Sequence, residues 1–298
     1  MPQVAARSDS TLSSVGSDTL QQVMQLWAEE YRRRHPAVNF QIQSIGSSTA
    51  PVALIEGTAQ LGPMSRTMRQ TELQQFAERF GYPPTAVPVA IDLLAIYVHP
   101  ENPLSQLSLS QLDAMFSINR RCGAPDDITT WGQLGLSGQW QQRFVSLYSR
   151  NSVSGTYGYF KQHVLCNGDI KARTNQLAGS SAMLRAISQS VAGIGYSGIG
   201  YATKEVKVLP LVTADGRVIA PTAANALAGD YPLARQLYVY VNRVPGQPLT
   251  ANEQAFFDLV LSATGQQLVG QDGFLPLPAE EIRFWRQELG LPARPASL

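Results

Sequence analysis

Four short runs of Ser, Thr and Gly carry most of the chemical information in this 298-residue sequence. They are Gly16-Ser17-Asp18-Thr19, Gly46-Ser47-Ser48-Thr49, Met64-Ser65-Arg66 and Ser154-Gly155-Thr156, and each is read as a turn that leads into a helix. The first turn of a helix has backbone N–H groups without intrahelical partners and carries the positive end of the helix dipole. It therefore holds an anion without any net basic surface. Glycine lets a backbone approach a ligand closely, and hydroxyls add further donors. Taken alone, each Ser or Thr is better read as an ordinary helix cap. Four such turns in one chain, one of them just beyond an arginine, tilt the reading toward a ligand. Arg150 stands four residues before Ser154. Its guanidinium can offer a charge-assisted, bidentate contact to an oxyanion while the amides of Ser154, Gly155 and Thr156 close around it. A surface ion pair is the competing fate for that arginine.

The elements that would position these residues follow from periodicity. Residues 12–15 read as a short strand, after which Leu20, Val23, Met24, Trp27 and Tyr31 fall at helical spacing until Pro36 stops the run. Residues 38–45 alternate as a second strand, a short helix runs through Glu56, and 59–62 form a third strand. Strand, polar turn and helix recur in that order, which is α/β grammar, and ligands in such sheets gather at the C-terminal ends of the strands. Residues 87–98 are long for one strand and able to cross between two lobes; 236–241 alternate as a strand that returns the chain to the first. Between them the pattern predicts a helix near 110–116, a strand over 143–148, a helix over 181–191 and a glycine-rich strand over 193–200. The tail is helical, opened by the capping box Thr250-Ala251-Asn252-Glu253. The expected architecture is two α/β lobes, 1–88 with 233–298 and 89–232, joined by two hinge crossings.

Composition narrows the function. With 23 basic and 22 acidic residues the formal net charge is +1, and no Lys/Arg stripe marks a nucleic-acid surface. Arg32-Arg33-Arg34 reads as the solvated end of a helix, where cations suit the dipole. The most apolar run, 87–98, is too short to span a membrane and holds Asp92 in its middle. Residues 1–4 lack the basic and apolar regions of a signal peptide, so an exported protein would have lost its native signal segment here. Cys122 and Cys166 are consistent with one disulfide in an oxidising compartment or with two buried thiols. His35, His99 and His163 have no zinc spacing. Gly193-Ile194-Gly195-Tyr196-Ser197-Gly198 matches a dinucleotide fingerprint only in letters, because it follows a helix instead of joining a strand to one. Ile199 breaks the nucleophile-elbow pattern around Ser197. Trp27, Trp131, Trp140 and Trp285 read as core anchors.

The order of motifs resembles the phosphate-binding proteins of bacterial phosphate ABC importers. Gly16-Ser17-Asp18-Thr19, Gly46-Ser47-Ser48-Thr49, Gly62-Pro63-Met64-Ser65-Arg66, Val89-Ala90-Ile91-Asp92 and Arg150 with Ser154-Gly155-Thr156 occur in that family's sequence. Ala214-Asp215-Gly216 with Pro221-Thr222, and Tyr231-Pro232 before a strand, also look like it. The resemblance spans 12 to about 261. It implies a periplasmic-binding-protein fold of the type with two interlobe crossings and the ligand in the cleft, no catalysis and no cofactor. It also implies a periplasmic location and a monomer that docks on an inner-membrane ABC permease. Thr19, Leu20, Ser47 and Ser65 would donate to phosphate from one lobe, and Arg150, Ser154, Gly155 and Thr156 from the other.

One departure bears on the ligand. Some members of that family carry an aspartate where this chain has Ser65, and it accepts the proton of monohydrogen phosphate. Sulfate lacks that proton, and a site built on a specific hydrogen bond discriminates by roughly 10⁴-fold or more. Phosphate therefore requires another acceptor, and Asp92 and Asp18 are the candidates. Asp92 is favoured, because an acid inside an apolar strand must have a partner. An ion pair between Asp92 and Arg66 is the competing reading. Other oxyanions (sulfate, molybdate, tungstate), a phosphatase, or a surface adhesin on the same fold are the alternatives.

Overall fold

The computed structural model describes residues 10–292; residues 1–4, read above for an export signal, lie outside them. The described chain forms two compact units. One comprises the residues through Ile91 and those from Gln236 onward, and the other is Asp92–Arg235.

The first unit opens with β1 (Thr11–Val15), α1 (Gln21–Arg34), β2 (Asn39–Gln43), α2 (Thr49–Glu56), β3 (Leu61–Met64) and α3 (Gln70–Phe80). β1 pairs in parallel with both β2 and β3. The apolar stripe of α1 is buried as its spacing requires, with Trp27 donating from Nε1 to the carbonyl of Gly265 at 2.9 Å. Its last turn carries the three arginines, and Glu30 pairs with Arg33 and Arg34. β3 starts later than 59–62, because Ala59 instead turns the chain out of α2, its N–H donating to the carbonyl of Ala53. In α3 the residues Leu73, Phe76 and Phe80 form a short apolar stripe, with Phe76 fully buried and Leu73 and Phe80 packed beside it.

β4 (Thr85–Val98) then carries the chain into the second unit, which holds β5 (Leu107–Ser108), α4 (Leu109–Phe116), β6 (Ser146–Arg150), α5 (Gly155–His163), β7 (Asn175–Leu177), α6 (Ser180–Ser188), β8 (Gly193–Gly198), β9 (Lys207–Leu209), β10 (Leu211–Val212), β11 (Val218–Ile219) and α7 (Ala223–Leu227). β6 is parallel to β7 and β8, and β4 runs antiparallel to β8 and β9. α6 buries Met183, Leu184 and Ile187 with Ala95 and Tyr97 of β4, and Tyr196 of β8 stacks on Phe160 of α5 at 3.8 Å. β6 begins later than the expected 143–148. Arg143 instead covers the Trp140 ring at 4.5 Å, while Phe144 is exposed and makes only an isolated bridge to Thr130.

β12 (Ala234–Val241) returns the chain and pairs antiparallel with β3; α8 (Ala251–Val260), α9 (Ala263–Gln271) and α10 (Ala279–Glu288) follow. The capping box at Thr250 forms, Thr250 Oγ1 accepting from Glu253 N and Glu253 Oε2 from Thr250 N. Trp27, Trp131 and Trp140 are core residues. Trp285 is only half-buried beside an exposed Phe284, because α10 buries Arg286 rather than an apolar stripe. Among the described residues no helix is long and apolar enough to cross a membrane.

Cys122 and Cys166 are bonded, closing 44 residues between the segment after α4 and the end of α5. Loop closure of this length restricts the unfolded chain. C122S/C166S is expected to lower the unfolding free energy by about 2–4 kcal/mol in urea denaturation; an unchanged midpoint would show that the bond constrains nothing the fold does not already hold.

Candidate functional site

Parallel strands place their C-terminal ends along one sheet edge, and in the first unit three of the polar turns follow β1, β2 and β3. Ser17, Ser47 and Ser65 converge there and are all buried. Ser17 Oγ donates to Ser65 Oγ at 3.2 Å, Ser47 Oγ lies 3.2 Å from Ser65 Oγ, and Ser65 N donates to Ser47 Oγ at 3.0 Å. Thr19 N donates to Ser17 Oγ at 3.2 Å, and Leu20, fully buried, immediately precedes α1. Asp18 is buried in the same turn, and its carbonyl accepts from Gln21 N at 3.0 Å. Gly16 is required by packing: a Cβ there would lie 2.2 Å from the carbonyl oxygen of Pro63. The close approach it permits is therefore turn against strand.

The third turn departs from the sequence reading. Ser65 does not open a helix, because residues 66–69 separate it from α3. Arg66 turns back to clasp both oxygens of Glu72 at 2.7 Å each, which in turn accepts from Arg69 N. This fork, with the backbone contact, holds the Glu72 carboxyl below the usual carboxylate range against the opposing effect of burial. Arg66 is thus committed to Glu72, whereas the competing sequence reading paired it with Asp92, whose carboxylate is instead held by Arg235.

In the second unit β6, β7 and β8 are likewise parallel, and Arg150 ends β6. It is fully buried, so the surface-ion-pair reading fails. Its guanidinium donates to the carbonyls of Leu177 (3.3 Å) and Ala178 (2.6 Å) and to Ser180 Oγ (2.9 Å), all at the β7–α6 junction. Ser154 caps α5, accepting from Tyr157 N at 3.3 Å, and Gly155 and Thr156 form the buried first residues of that helix.

Asp92 lies on β4 beside the end of β8, wholly buried. Its Oδ2 accepts from Arg235 Nε at 3.0 Å and from Arg235 Nη2 at 2.7 Å; the same Nη2 donates to Thr156 Oγ1 at 3.0 Å. Asp92 Oδ1 is buried and has no hydrogen-bond partner among the described residues. Gly198 makes room for this carboxylate, since a Cβ there would stand 2.8 Å from Oδ1. Tyr97 and Tyr231 flank it, and burial first, then the Asp92 charge, raises both phenols above their usual value.

The structure brings Asp18, Thr19, Leu20, Ser47 and Ser65 to one edge of the first unit. In the second it brings Asp92 to Thr156 and, separately, Arg150 to the junction before α6. Sequence reading missed Ser17, Ser180 and Arg235. Ser17 was legible within its own turn. Arg235 carries a signal in phase: it shares the inward register of β12 with Leu237 and Val239, an odd place for an arginine without a buried acid. Nothing local marks Ser180.

A family described as the PBP superfamily domain matches residues 2–264. The phosphate-binding protein PstS of Pseudomonas aeruginosa strain PAO1 is 54% identical over 290 residues, covering 97% of this chain and 90% of its own. The chain belongs to the phosphate-binding branch of this superfamily. Protein SphX of Synechococcus elongatus, a more distant relative, is 26% identical over 93% of this chain and 81% of its own. A putative phosphate ABC transporter substrate-binding protein from Clostridium perfringens, solved with bound phosphate, superposes with a TM-score of 0.75 at 25% identity, covering 90% of this chain and 100% of its own. The fold is accordingly that of the periplasmic binding proteins: two α/β units linked by strands that pass from one into the other.

Two outcomes follow from the packing. G198A is expected to cost about 1–3 kcal/mol in chemical denaturation, because its methyl would press on Asp92; a neutral change would mean that the carboxylate is not fixed against β8. His163 stacks on Tyr159 at 4.1 Å, and burial, then the charge of Arg235, lowers its pKa. With the folded value below the unfolded one, about 6.5, the unfolded chain binds the proton first. Stability is then lost as pH falls through that value and levels off below the folded pKa. H163Q should flatten this slope in pH-dependent thermal melts; an identical slope in wild type and variant would assign it to another group.

Proposed function

We propose that this protein is the extracytoplasmic receptor of an ABC-type phosphate importer, a periplasmic monomer that captures inorganic phosphate and hands it to the membrane permease. It binds and catalyses nothing, in keeping with relatives that are phosphate-binding transport proteins. The 54% identity to PstS over nearly the whole chain supports the transport role. In this reading Thr19, Leu20, Ser47 and Ser65 donate from the first unit, with Asp18 beside them, and Arg150, Ser154, Gly155 and Thr156 donate from the second. Both sets serve one anion. With a net charge of only +1, attraction comes from helix starts, hydroxyls and a buried guanidinium.

The observation that carries phosphate over sulfate, molybdate or tungstate is Asp92 Oδ1, a buried carboxylate oxygen without a donor among the described residues. Such an oxygen can only accept, and a protonated phosphate oxygen supplies what it lacks. An unprotonated oxyanion would meet it oxygen to oxygen. Asp92 is therefore preferred to Asp18 as the acceptor. D92N would turn an amide donor toward the phosphate hydroxyl. Isothermal titration should show phosphate binding at least roughly 100-fold weaker, with sulfate unaffected or tighter, while D18N keeps its preference for phosphate. Wild-type phosphate affinity in D92N would refute the acceptor role.

A further inference from the structure

We propose that Arg235 is a positioning residue for phosphate recognition: its guanidinium decides which oxygen of Asp92 is left to accept and in which direction the Thr156 hydroxyl donates. This rests on the reading of Asp92 as acceptor and adds the residue that makes it one.

Arginine and carboxylate usually meet fork to fork, one nitrogen on each oxygen, which occupies both oxygens. Here Nε and Nη2 of Arg235 both converge on Asp92 Oδ2, at 3.0 and 2.7 Å, and Oδ1 is left without a donor among the described residues. The off-centre placement has visible causes. Nη2 also reaches Thr156 Oγ1 at 3.0 Å, drawing the fork toward α5. The Tyr159 ring lies 5.2 Å from the guanidinium carbon, and its hydroxyl donates to the carbonyl of Ala234, the residue before Arg235. Tyr231 donates to the carbonyl of Leu94 at 2.8 Å, fixing the approach to β12 against β4. Because Thr156 Oγ1 accepts from Arg235, its own proton must point elsewhere, and the hydroxyl becomes a donor of fixed direction.

Charge matters as much as direction. Around Asp92 stand Arg235 from β12, Tyr97 from its own strand, Tyr231, and the side-chain-free Gly198 of β8; Thr156 and Tyr159 of α5 contact Arg235, and His163 stacks on Tyr159 and faces Arg235. Arg235 is the cation paired with Asp92 in this set. A buried carboxylate without its counter-ion takes up a proton. A protonated Asp92 would offer a donor, which suits sulfate and defeats the selection for a protonated oxygen.

The test is isothermal titration of wild type, R235Q, R235K and D92N with inorganic phosphate and with sulfate, at pH 6 and pH 8.5. Each variant is expressed relative to wild type at the same pH, so that the ionisation of phosphate itself cancels. R235Q is expected to lose about 100-fold of the phosphate-over-sulfate preference at pH 6 and to recover to within about 10-fold of wild type at pH 8.5. R235K keeps the charge but has no counterpart of Nε and no planar fork, so Oδ2 loses one of its two donors; its relative preference should not vary with pH while phosphate affinity falls about 10-fold. A purely structural arginine would lower the melting temperature of R235Q yet leave its preference and pH profile as in wild type, and that result overturns the proposal. If R235Q does not fold, R235K with wild-type affinity does the same. A D92N protein that binds phosphate normally would instead sink the acceptor reading beneath it, an outcome separable from failure of Arg235 alone.

Discussion

A carboxylate cannot be buried without a partner, and the second unit is arranged around the way Asp92 meets that condition. One of its oxygens is saturated by Arg235 and the other receives nothing from the described protein. The ion pair secures the charge, and the incomplete saturation gives it a use. Neighbouring features follow from this: a glycine where β8 passes the carboxylate, tyrosines that wall it off, and a threonine at the start of α5 sharing the same guanidinium. Asp92 and Arg235 are also the first and last residues of their unit, so the pair ties together the two strands through which the chain enters and leaves it.

Apart from Arg150, the remaining recognition chemistry is neutral. Parallel strands deliver Ser17, Ser47 and Ser65 to one edge, where they hydrogen-bond among themselves and stand ready oriented. In the second unit Arg150 is held by two carbonyls and a serine at the β7–α6 junction, which fixes the plane of its guanidinium. Donors held in place before the ligand arrives lose little freedom on binding, which favours affinity for a small anion. A nearly neutral chain can thus bind a dianion through local dipoles and one placed guanidinium.

Much of this was legible in the sequence because it is written in short-range patterns. The stripe of α1, the alternation of β2 and the capping box of α8 each have a local cause, and each formed. The Ser/Thr/Gly turns were legible for the same reason. What escaped depends on contacts far apart in the chain. The turn at Ser65 was taken for a helix start, whereas its serine is used through Ser17 and Ser47 across 48 and 18 residues. Arg235 pairs with an acid 143 residues away. Asp92 reads from the sequence as the phosphate acceptor with an Arg66 ion pair as the competing reading, and the pattern of residues does not show that Glu72 holds that arginine.

The most direct measurement is a crystal structure of this protein with phosphate bound. If Asp92 accepts the phosphate proton, one phosphate oxygen will lie about 2.5–2.7 Å from Oδ1, the length of a charge-assisted O–H···O⁻ bond, with Arg235 still on Oδ2. Phosphate seated against Arg150 and the start of α5 with no oxygen in reach of Asp92 would contradict it.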